Sequence, residues 1–506
     1  MRPYGTFSLS LSKIAQTSGA KFIGTDDLNS IEILGISHND QNIEPGDLFV
    51  AVSGANHHGA KFSAGARERG AVAVLTDLAG AALISDIPVL VVENPRAIAG
   101  EIAALLYNEP MRDLASIAIT GTNGKTTVTT LLYQIFSSAS RECGLIGTVE
   151  TRIGSEIIAS QRTTPEATDL QSIAAVMKER HVRHLVMEAS SHAMTLHRVA
   201  GGHFAIAGFT NLTQDHLDFH GDMESYFAAK ASLFKFEFAD LACINIDDHY
   251  GARLANSVDI PVVTLSRHAN SADWHFVQIT NFASGTEIKI RGRGGILIET
   301  STSLRGGYNL DNLLMAVAIA AESGIDPINI AAITPRISGA AGRLEEVNVG
   351  QDFTAFVDYA HTEDAVKNVL QTLREFTTGK IIAVLGCGGD RDFAKRPIMG
   401  AALSQMSDVA IFTSDNPRSE QPQDILNAMV GNLEVIQPSK VVVDRSEAIS
   451  YAVSLAQAGD TVAILGKGHE PGQEVAGQIL DFDDRIVLAK AIDARPIDAR
   501  PIEAKP

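Results

Sequence analysis

Three cysteines in 506 residues, Cys143, Cys243 and Cys387, are too few and too far apart for a disulfide framework or a CxxC metal knuckle. A reducing compartment is the expectation. Positive charge is also scarce: 41 Lys and Arg face 60 Asp and Glu, a formal net charge of −19. That balance excludes broad electrostatic capture of nucleic acid or of an anionic membrane, so any anionic ligand must be held by local groups. No stretch reaches the ~18 consecutive apolar residues of a membrane span, and the N-terminus MRPYGTFSLSLSKIAQ has no long apolar region of the signal-peptide kind. A soluble, cytoplasmic chain without membrane insertion is expected. What is present is ordinary globular material, 45% hydrophobic and 20% charged. At roughly 150 residues per domain, the length predicts about three domains.

From Ile31 to about Tyr107, the runs DLFVAV, AVAVLT and IPVLVVEN alternate with Ala-rich helical stretches and predict a small α/β unit. NEPMRD then reads as a linker. A second unit opens with the buried-strand run ASIAIT, the loop GTNGKTT and the helical TVTTLLYQIFSSAS. Strands follow at HLVMEAS, AIAGFTNL and ACINID, and Trp274 to Thr300 alternates in a more antiparallel way. After a helix at about Asn309 to Ser323, DPINIAAITPRISGAAGR is expected to cross into a third unit. There TAFVDYAH, KIIAVLGCGGD, DVAIFTSDNPR, KVVVD and TVAILGKGHE alternate with helices, which predicts a parallel doubly wound sheet. The expected divisions are 1–107, 108–335, 336–491 and a tail, 492–506. In that tail IDARPIDARPIEAKP puts a proline in every copy of a five-residue repeat, against regular helix.

Chemistry concentrates at the ends of the predicted strands. Gly121, Thr122, Asn123, Gly124, Lys125, Thr126 and Thr127 lie between strand and helix, where backbone N–H groups and the helix dipole can cradle phosphate. Lys125 supplies a charge and Thr126 a hydroxyl for Mg²⁺, although Ile119 stands where the general phosphate-loop pattern has glycine. Glu188, an oxygen ligand suited to Mg²⁺, ends HLVME. The neighbouring Ser191 and His192 do not make a hydrolase, because GxSxG is absent and adjacent extended residues face opposite ways. Asn211 to Phe234 gathers Asp215, His216, Asp218, His220 and Lys230; this cluster suits a metal or phosphate site, and the HxxxH spacing also suits a transition-metal pair. In the third unit DYAH, GCGGDRD, SDNPR and GKGHE should meet along one sheet edge.

Taken in order, ITGTNGKTT, TTP, EASSHAM with HR, NLTQDHLDFHG with YFAAK, GGYNLDN, GRLEEV, VDYAH, GCGGDRDFAKRP, SDNPR and GKGHE make the chain resemble the Mur ligases, the ATP-dependent enzymes of peptidoglycan peptide synthesis. The resemblance runs up to the repeat tail and is to the form that adds meso-diaminopimelate. It implies an α/β chain of three domains: a UDP-binding domain, a central phosphate-loop ATPase and a Rossmann-like domain receiving the amino acid. It implies that ATP phosphorylates the D-Glu carboxylate of UDP-MurNAc-L-Ala-D-Glu and that the amine attacks the acyl phosphate. A monomer is expected.

The same resemblance implies a role for each matching residue. Gly121 to Thr127 would hold ATP phosphates, with Asn309, Arg343 and Asp358 at the nucleotide. Thr126, Glu188, His216 and a CO₂-derived carbamate on Lys230 would bind Mg²⁺. His38 and Asp40 would lie at the uridine end, and Thr163, Thr164, Ser190 and Arg198 at the muramyl-dipeptide. Arg391, Asp415, Asn416, Pro417, Arg418, Gly466 and Glu470 would take meso-diaminopimelate. Arg418 would set selectivity, because the distal carboxylate that L-lysine lacks can pair with a planar guanidinium. The alternative is the same ligation with L-lysine or another amino acid. The chain departs from the family pattern at Asn39, Asp40 and Gln41, where DSR is usual, and at Glu363, where proline follows AHT. A phosphate-loop ATPase driving partner binding would leave TTP, the Lys230 region and DNPR unexplained.

Overall fold

The computed structural model of the chain describes every residue except 6, 25, 26, 55, 161, 283, 284 and 496–506. Three large sheets organise the described residues, each buried on both faces by helices. The first has five strands in the order Lys21–Ile23, Val89–Val91, Ala73–Thr76, Asp47–Ala51, Gly35–Ser37, parallel except for the antiparallel edge strand Lys21–Ile23. Leu48, Val50, Leu75 and Leu90 meet Ile102 and Leu106 of the helix Pro95–Leu106, which Asn94 caps through the Ala97 N–H.

The second sheet has eleven strands. Its parallel run is Cys143–Ile146, His184–Glu188, Ala115–Thr120, Phe204–Phe209, Ala239–Asn245, Val262–Ser266, Trp274–Phe282, with antiparallel strands beyond both ends. Ala115–Thr120 lies centrally, between His184–Glu188 and Phe204–Phe209, at the point where the chain reverses its direction of travel across the sheet. Such a reversal opens a crevice at the carboxyl ends of the strands. Trp274 to Thr302 forms the expected antiparallel meander.

The third sheet runs Glu345–Glu346, Thr354–Asp358, Thr461–Leu465, Ile381–Leu385, Val409–Phe412, Lys440–Val441, parallel except for the first strand. Its inner strands are buried on both faces, with Leu370, Leu373 and Leu403 on one side and Ile449, Val453 and Leu488 on the other. All four polar motifs therefore reach one edge, as their places at strand ends require.

Two readings change. NEPMRD is not a free linker: Pro110–Asp113 forms a helical turn whose Met111 is 1% exposed in the central core, because Pro110 presets the first turn and Met111 is apolar. Pro327 opens the helix Pro327–Ile333 behind the cap Asp326, so the crossing stretch DPINIAAITPRISGAAGR begins in regular structure. The final helix, Asp484–Asp493, takes in the first two repeat residues, because Ile492 is buried against the third sheet's core. The repeat from residue 496 lies outside the described residues. Glu363, the residue in place of proline, begins the helix Glu363–Phe376 in a favourable N-terminal position behind the cap Thr362. Among the described residues no helix is long and apolar enough to cross a membrane.

One ion pair anchors the third sheet. Arg445 and Asp484 are both fully buried, joined by bonds of 2.8 and 2.7 Å, and Arg445 also donates to the carbonyls of Leu465 (3.0 Å) and Ser414 (3.3 Å). Removing one partner leaves a buried charge alone, so Asp484→Ala should destabilise this unit by about 3–5 kcal/mol. Calorimetry should show its unfolding moved to lower temperature; an unmoved transition would mean the pair contributes nothing.

Candidate active site

Gly121 to Thr127 closes the central strand Ala115–Thr120 and opens the helix Lys125–Ser138. Gly124 has φ +88, and a side chain there would strike Asn312, so the turn needs glycine. The loop is held from the next strand: Thr122 N–H donates to the Asn211 carbonyl (2.9 Å), Asn123 N–H to Asn211 Oδ1 (2.9 Å), and Thr122 Oγ1 meets Tyr226 OH (3.1 Å). The first helical bond runs from Val128 N–H to Gly124 O, which leaves earlier N–H groups for an anion. Lys125 Nζ folds back on the carbonyls of Gly121 (3.0 Å) and Thr122 (2.9 Å), and burial lowers its pKa against the opposing pull of Glu188.

Glu188 is a fully buried hub. It accepts from Thr126 Oγ1 (3.1 Å), Thr148 N–H (2.7 Å) and Thr148 Oγ1 (3.1 Å). Thr148 also meets Thr163 Oγ1 at 3.0 Å. Thr164 Oγ1 donates to the Glu188 carbonyl (2.8 Å) and accepts from Ser190 N–H (3.2 Å), while Ser190 Oγ caps the helix Ser191–Thr195. The structure thus joins Thr126, Thr163, Thr164, Glu188 and Ser190 in one network.

His216, its side chain 45% exposed, stands beside Asp215, with Nε2 and Oδ2 3.3 Å apart; partial desolvation, with His192, Lys125 and Lys230 nearby, lowers its pKa against the pull of Asp215. His220 Nε2 meets Ser191 Oγ (2.9 Å), and His192 stacks on Phe219. Among the described residues no group of three or more His, Cys, Asp or Glu is arranged to hold a metal, so the HxxxH pair has no third such ligand. Lys230, on the helix Met223–Ala231, is 1% exposed; its Nζ donates to Gly121 O (2.7 Å) and lies 4.6 Å from the Tyr226 ring centre. Burial, reinforced by the charge of Lys125, holds its pKa well below the usual lysine value.

A cavity of about 380 Å³ opens between the central and third sheets, lined by Asn123, Gly124, Asn309, Arg343, Asp358 and Asn368 among others. Asp358 accepts from Leu344 N–H (2.6 Å) and Ala360 N–H (2.7 Å), and burial raises its pKa. The Arg343 guanidinium lies 4.7 Å from the Tyr359 ring, and its Nε is buried without a partner. Asn309 Nδ2 donates to Arg305 O (3.0 Å). Across this region Lys395 of the third unit pairs with Asp215 of the second at 3.1 Å.

At the edge of the third sheet, Asn416 Nδ2 donates to Glu470 Oε2 (2.8 Å), and Arg418 Nη1 to Gly389 O (2.7 Å). Lys467, fully buried, donates to Asn416 Oδ1 (3.1 Å), Glu470 Oε2 (3.1 Å) and Gly472 O (2.6 Å). Burial raises the Asp415 pKa. Gly466 has φ +113, and a Cβ there would lie 2.8 Å from Asp415 Oδ2. Pro417 is buried, whereas Arg391 is exposed on the GCGGDRD loop.

A second cavity, about 550 Å³, is lined by His38, Asp40, Arg96, Arg162 and Glu166 and so lies between the first and second units. Glu166 receives three arginines: Arg96 (2.6 Å), Arg162 (2.5 Å) and Arg198 (3.2 Å). His38 Nδ1 meets Thr168 Oγ1 at 3.1 Å, its Nε2 is buried without a partner, and burial lowers its pKa to about 4. Asp40 is turned to Arg69 at 3.4 Å.

Models of the Mur ligase family match in series: the catalytic domain over residues 32–108, the middle domain over 119–320 and the glutamate ligase domain over 342–468. UDP-N-acetylmuramoyl-L-alanyl-D-glutamate–2,6-diaminopimelate ligase of Streptomyces coelicolor is 48% identical over 471 residues, covering 92% of this chain and 93% of that one. This chain belongs to the Mur ligase family. The ligase of the same name from Syntrophomonas wolfei is 41% identical, over 91% of this chain and 95% of its own. A solved structure of a UDP-N-acetylmuramoyl-L-alanyl-D-glutamate–2,6-diaminopimelate ligase superposes with a TM-score of 0.68 at 31% identity, covering 96% of this chain and 99% of that chain. The D-alanyl-D-alanyl-adding ligase of Acinetobacter baumannii, at 16% identity and a TM-score of 0.63 over 91% of this chain and 96% of its own, shares the fold.

Within this Mur ligase, motif reading singled out Arg198 but not its partner Glu166 or the neighbouring Arg96 and Arg162, and it did not single out Thr148, Lys395 or Lys467. Glu166 carried a signal as the acid directly after TTP, and Lys395 and Lys467 as members of GCGGDRDFAKRP and GKGHE, but their partners did not show there. The pairings become visible through contacts across 40 residues (Thr148 to Glu188), 180 (Lys395 to Asp215) and 51 (Lys467 to Asn416).

Proposed function

We propose that the chain joins meso-diaminopimelate to UDP-N-acetylmuramoyl-L-alanyl-D-glutamate at the expense of ATP, in peptidoglycan precursor synthesis. The observation that carries the reading is a guanidinium, Arg418, fixed on Gly389 O beside Asn416 and Glu470, in a chain 48% identical to a ligase of that name. Carboxylate and amine do not condense in water, so the γ-phosphoryl group passes to a D-Glu carboxylate oxygen and ADP leaves. The amine nitrogen then attacks the acyl carbon, the C–O bond to phosphate breaks, and the amine loses a proton. Catalysis of this kind requires positioning and charge stabilisation, supplied here by the Gly121–Thr127 loop and Lys125. Asn309, Arg343 and Asp358 hold the nucleotide. Thr163, Thr164, Ser190 and Arg198 face the muramyl-dipeptide, and His38 and Asp40 its uridine end. Arg391, Asp415, Asn416, Pro417, Arg418, Gly466 and Glu470 receive the amino acid.

The Thr126 hydroxyl and the buried Glu188 carboxylate, 3.1 Å apart, are oxygen donors of the kind Mg²⁺ takes, and His216 and a carbamate on Lys230 would complete its ligands. Bound there, the ion neutralises phosphate charge. The chain acts as a monomer with units 1–107, 108–335 and 336–491, in the cytoplasm.

The test is ADP release with UDP-MurNAc-dipeptide and meso-diaminopimelate, L-lysine or no amino acid, for wild type and Arg418→Ala. Wild type should respond to meso-diaminopimelate; a response to L-lysine instead overturns the substrate. In the variant kcat/KM for meso-diaminopimelate should fall at least about tenfold, since a charge-assisted bond is worth about 1.5–3 kcal/mol, while KM for ATP holds. L-lysine should not gain, because no pocket for its ammonium is created.

A further inference from the structure

Resting on that reading, we infer that the hairpin Gly472–Val475/Gln478–Asp481 is the positioning element of the amino-acid site, acting through Gln473 and Glu474 on the run Asp415 to Arg418. The hairpin follows GKGHE and adds no strand to the third sheet; its two strands pair with each other, and Val475 makes a single parallel bridge with Arg418. Its inner strand is stitched to the run residue by residue. Gln473 Nε2 donates to Asp415 O (2.6 Å) and reaches Ser414 Oγ (3.3 Å). Glu474 N–H donates to Asn416 Oδ1 (2.9 Å). Arg418 N–H donates to Glu474 O (3.0 Å), and Ala476 N–H donates to Arg418 O (2.7 Å). Pro417 has no N–H to offer. Lys467 ties the start of the hairpin to the same network through Gly472 O (2.6 Å).

Arg418 needs this support. Its φ is +53, a left-handed backbone that a long side chain seldom adopts unaided, and the hairpin holds both its N–H and its carbonyl. The side chain is held as well: Nε lies 3.3 Å from Glu474 Oε2, and Nη1 donates to Gly389 O at 2.7 Å. With Nε paired to Glu474 and Nη1 donating to Gly389 O, Nη2 is the guanidinium nitrogen turned to no protein acceptor among the described residues, and it is the one left to lead a charge-assisted contact with an incoming carboxylate. Glu474 therefore selects which face of the guanidinium reads the distal carboxylate without touching the substrate. Gln473 does the same for the backbone at Asp415.

Steady-state kinetics on the full chain test this with Glu474→Ala, Glu474→Gln and Gln473→Leu. Glu474→Ala should raise KM for meso-diaminopimelate about tenfold, with kcat at saturation and the KM values for ATP and UDP-MurNAc-dipeptide within about twofold of wild type. Glu474→Gln keeps an acceptor at the same reach and should recover most of the loss. Gln473→Leu, similar in size without the donor, should move the same KM alone. An unchanged KM for meso-diaminopimelate in Glu474→Ala and Gln473→Leu, no recovery in Glu474→Gln, or a parallel change in all three KM values overturns the inference while wild-type turnover with meso-diaminopimelate leaves the functional reading standing. Wild type that ignores meso-diaminopimelate overturns both.

Discussion

Lys230→Ala should lose ligation by roughly 10²–10³-fold or more and regain part of it when a short carboxylic acid such as acetate is supplied. Lys230 is one of the largest fully buried side chains, and an ammonium there would present three donors, whereas Gly121 O is the hydrogen-bond acceptor it meets. Burial and then the charge of Lys125 favour the neutral amine, which is the form that adds to CO₂. The new N–C bond and the lost proton convert the group into a carboxylate-like anion. The relation to Lys125 then reverses, from a like-charge neighbour that disfavours the ammonium to an opposite charge that stabilises the carbamate. The sign with pH follows: activity should fall as acidification protonates the amine. Lys230→Met, which refills the space beneath Tyr226, separates packing from chemistry and should be as inactive as Lys230→Ala at a near-wild-type melting temperature. With ¹³C-bicarbonate, a carbamate resonance should appear in wild type and be missing in both variants. Full turnover in either variant, or no such resonance in wild type at neutral pH, would sink the carbamate.

How far the site was legible depended on how local its causes are. The strand–loop–helix around GTNGKTT could be read because its parts are contiguous and each constrains the next. Glu188, Asp358, Asp415 and Gly466 could be read because each sits at or just beyond the carboxyl end of a buried strand, and parallel pairing must bring such ends together. The N-terminal sheet was legible in kind, though its antiparallel edge strand Lys21–Ile23 was not, because three residues alternate too briefly to signal a strand. Lys467 sits inside the motif GKGHE, but its burial was not legible there, because it depends on Asn416, Glu470 and Gly472 O converging on it. Arg445 and Asp484 stand 39 residues apart on separate helices, and only the packing of those helices brings them together. Met111 was misread because NEPMRD has linker composition, whereas its single large apolar side chain determines where the segment packs.

Lys125→Ala should abolish ligation while leaving the fold in place. Its Nζ touches two loop carbonyls, Gly121 O and Thr122 O, and the loop has independent anchors at Asn211 and Tyr226, so losing the side chain removes charge without releasing the backbone. As the γ-phosphoryl group transfers, negative charge spreads over its oxygens, and a cation at the loop lowers the barrier more than it lowers the ground state. Removing one such preorganised donor typically costs about 10²–10³-fold in kcat. A second loss compounds the first in this chain. Lys125 is among the charges that keep the Lys230 amine neutral, so its removal also weakens the tendency of Lys230 to react with CO₂. The two contributions can be separated. Lys125→Arg keeps a cation near Lys230 but reshapes the phosphate contact, and should retain the ¹³C carbamate resonance while losing turnover. Lys125→Ala should lose turnover and diminish the resonance as well. Calorimetry should place both variants within a few degrees of the wild-type melting temperature. Near-normal ADP release by Lys125→Ala would overturn the assignment of this loop as the site of phosphoryl transfer.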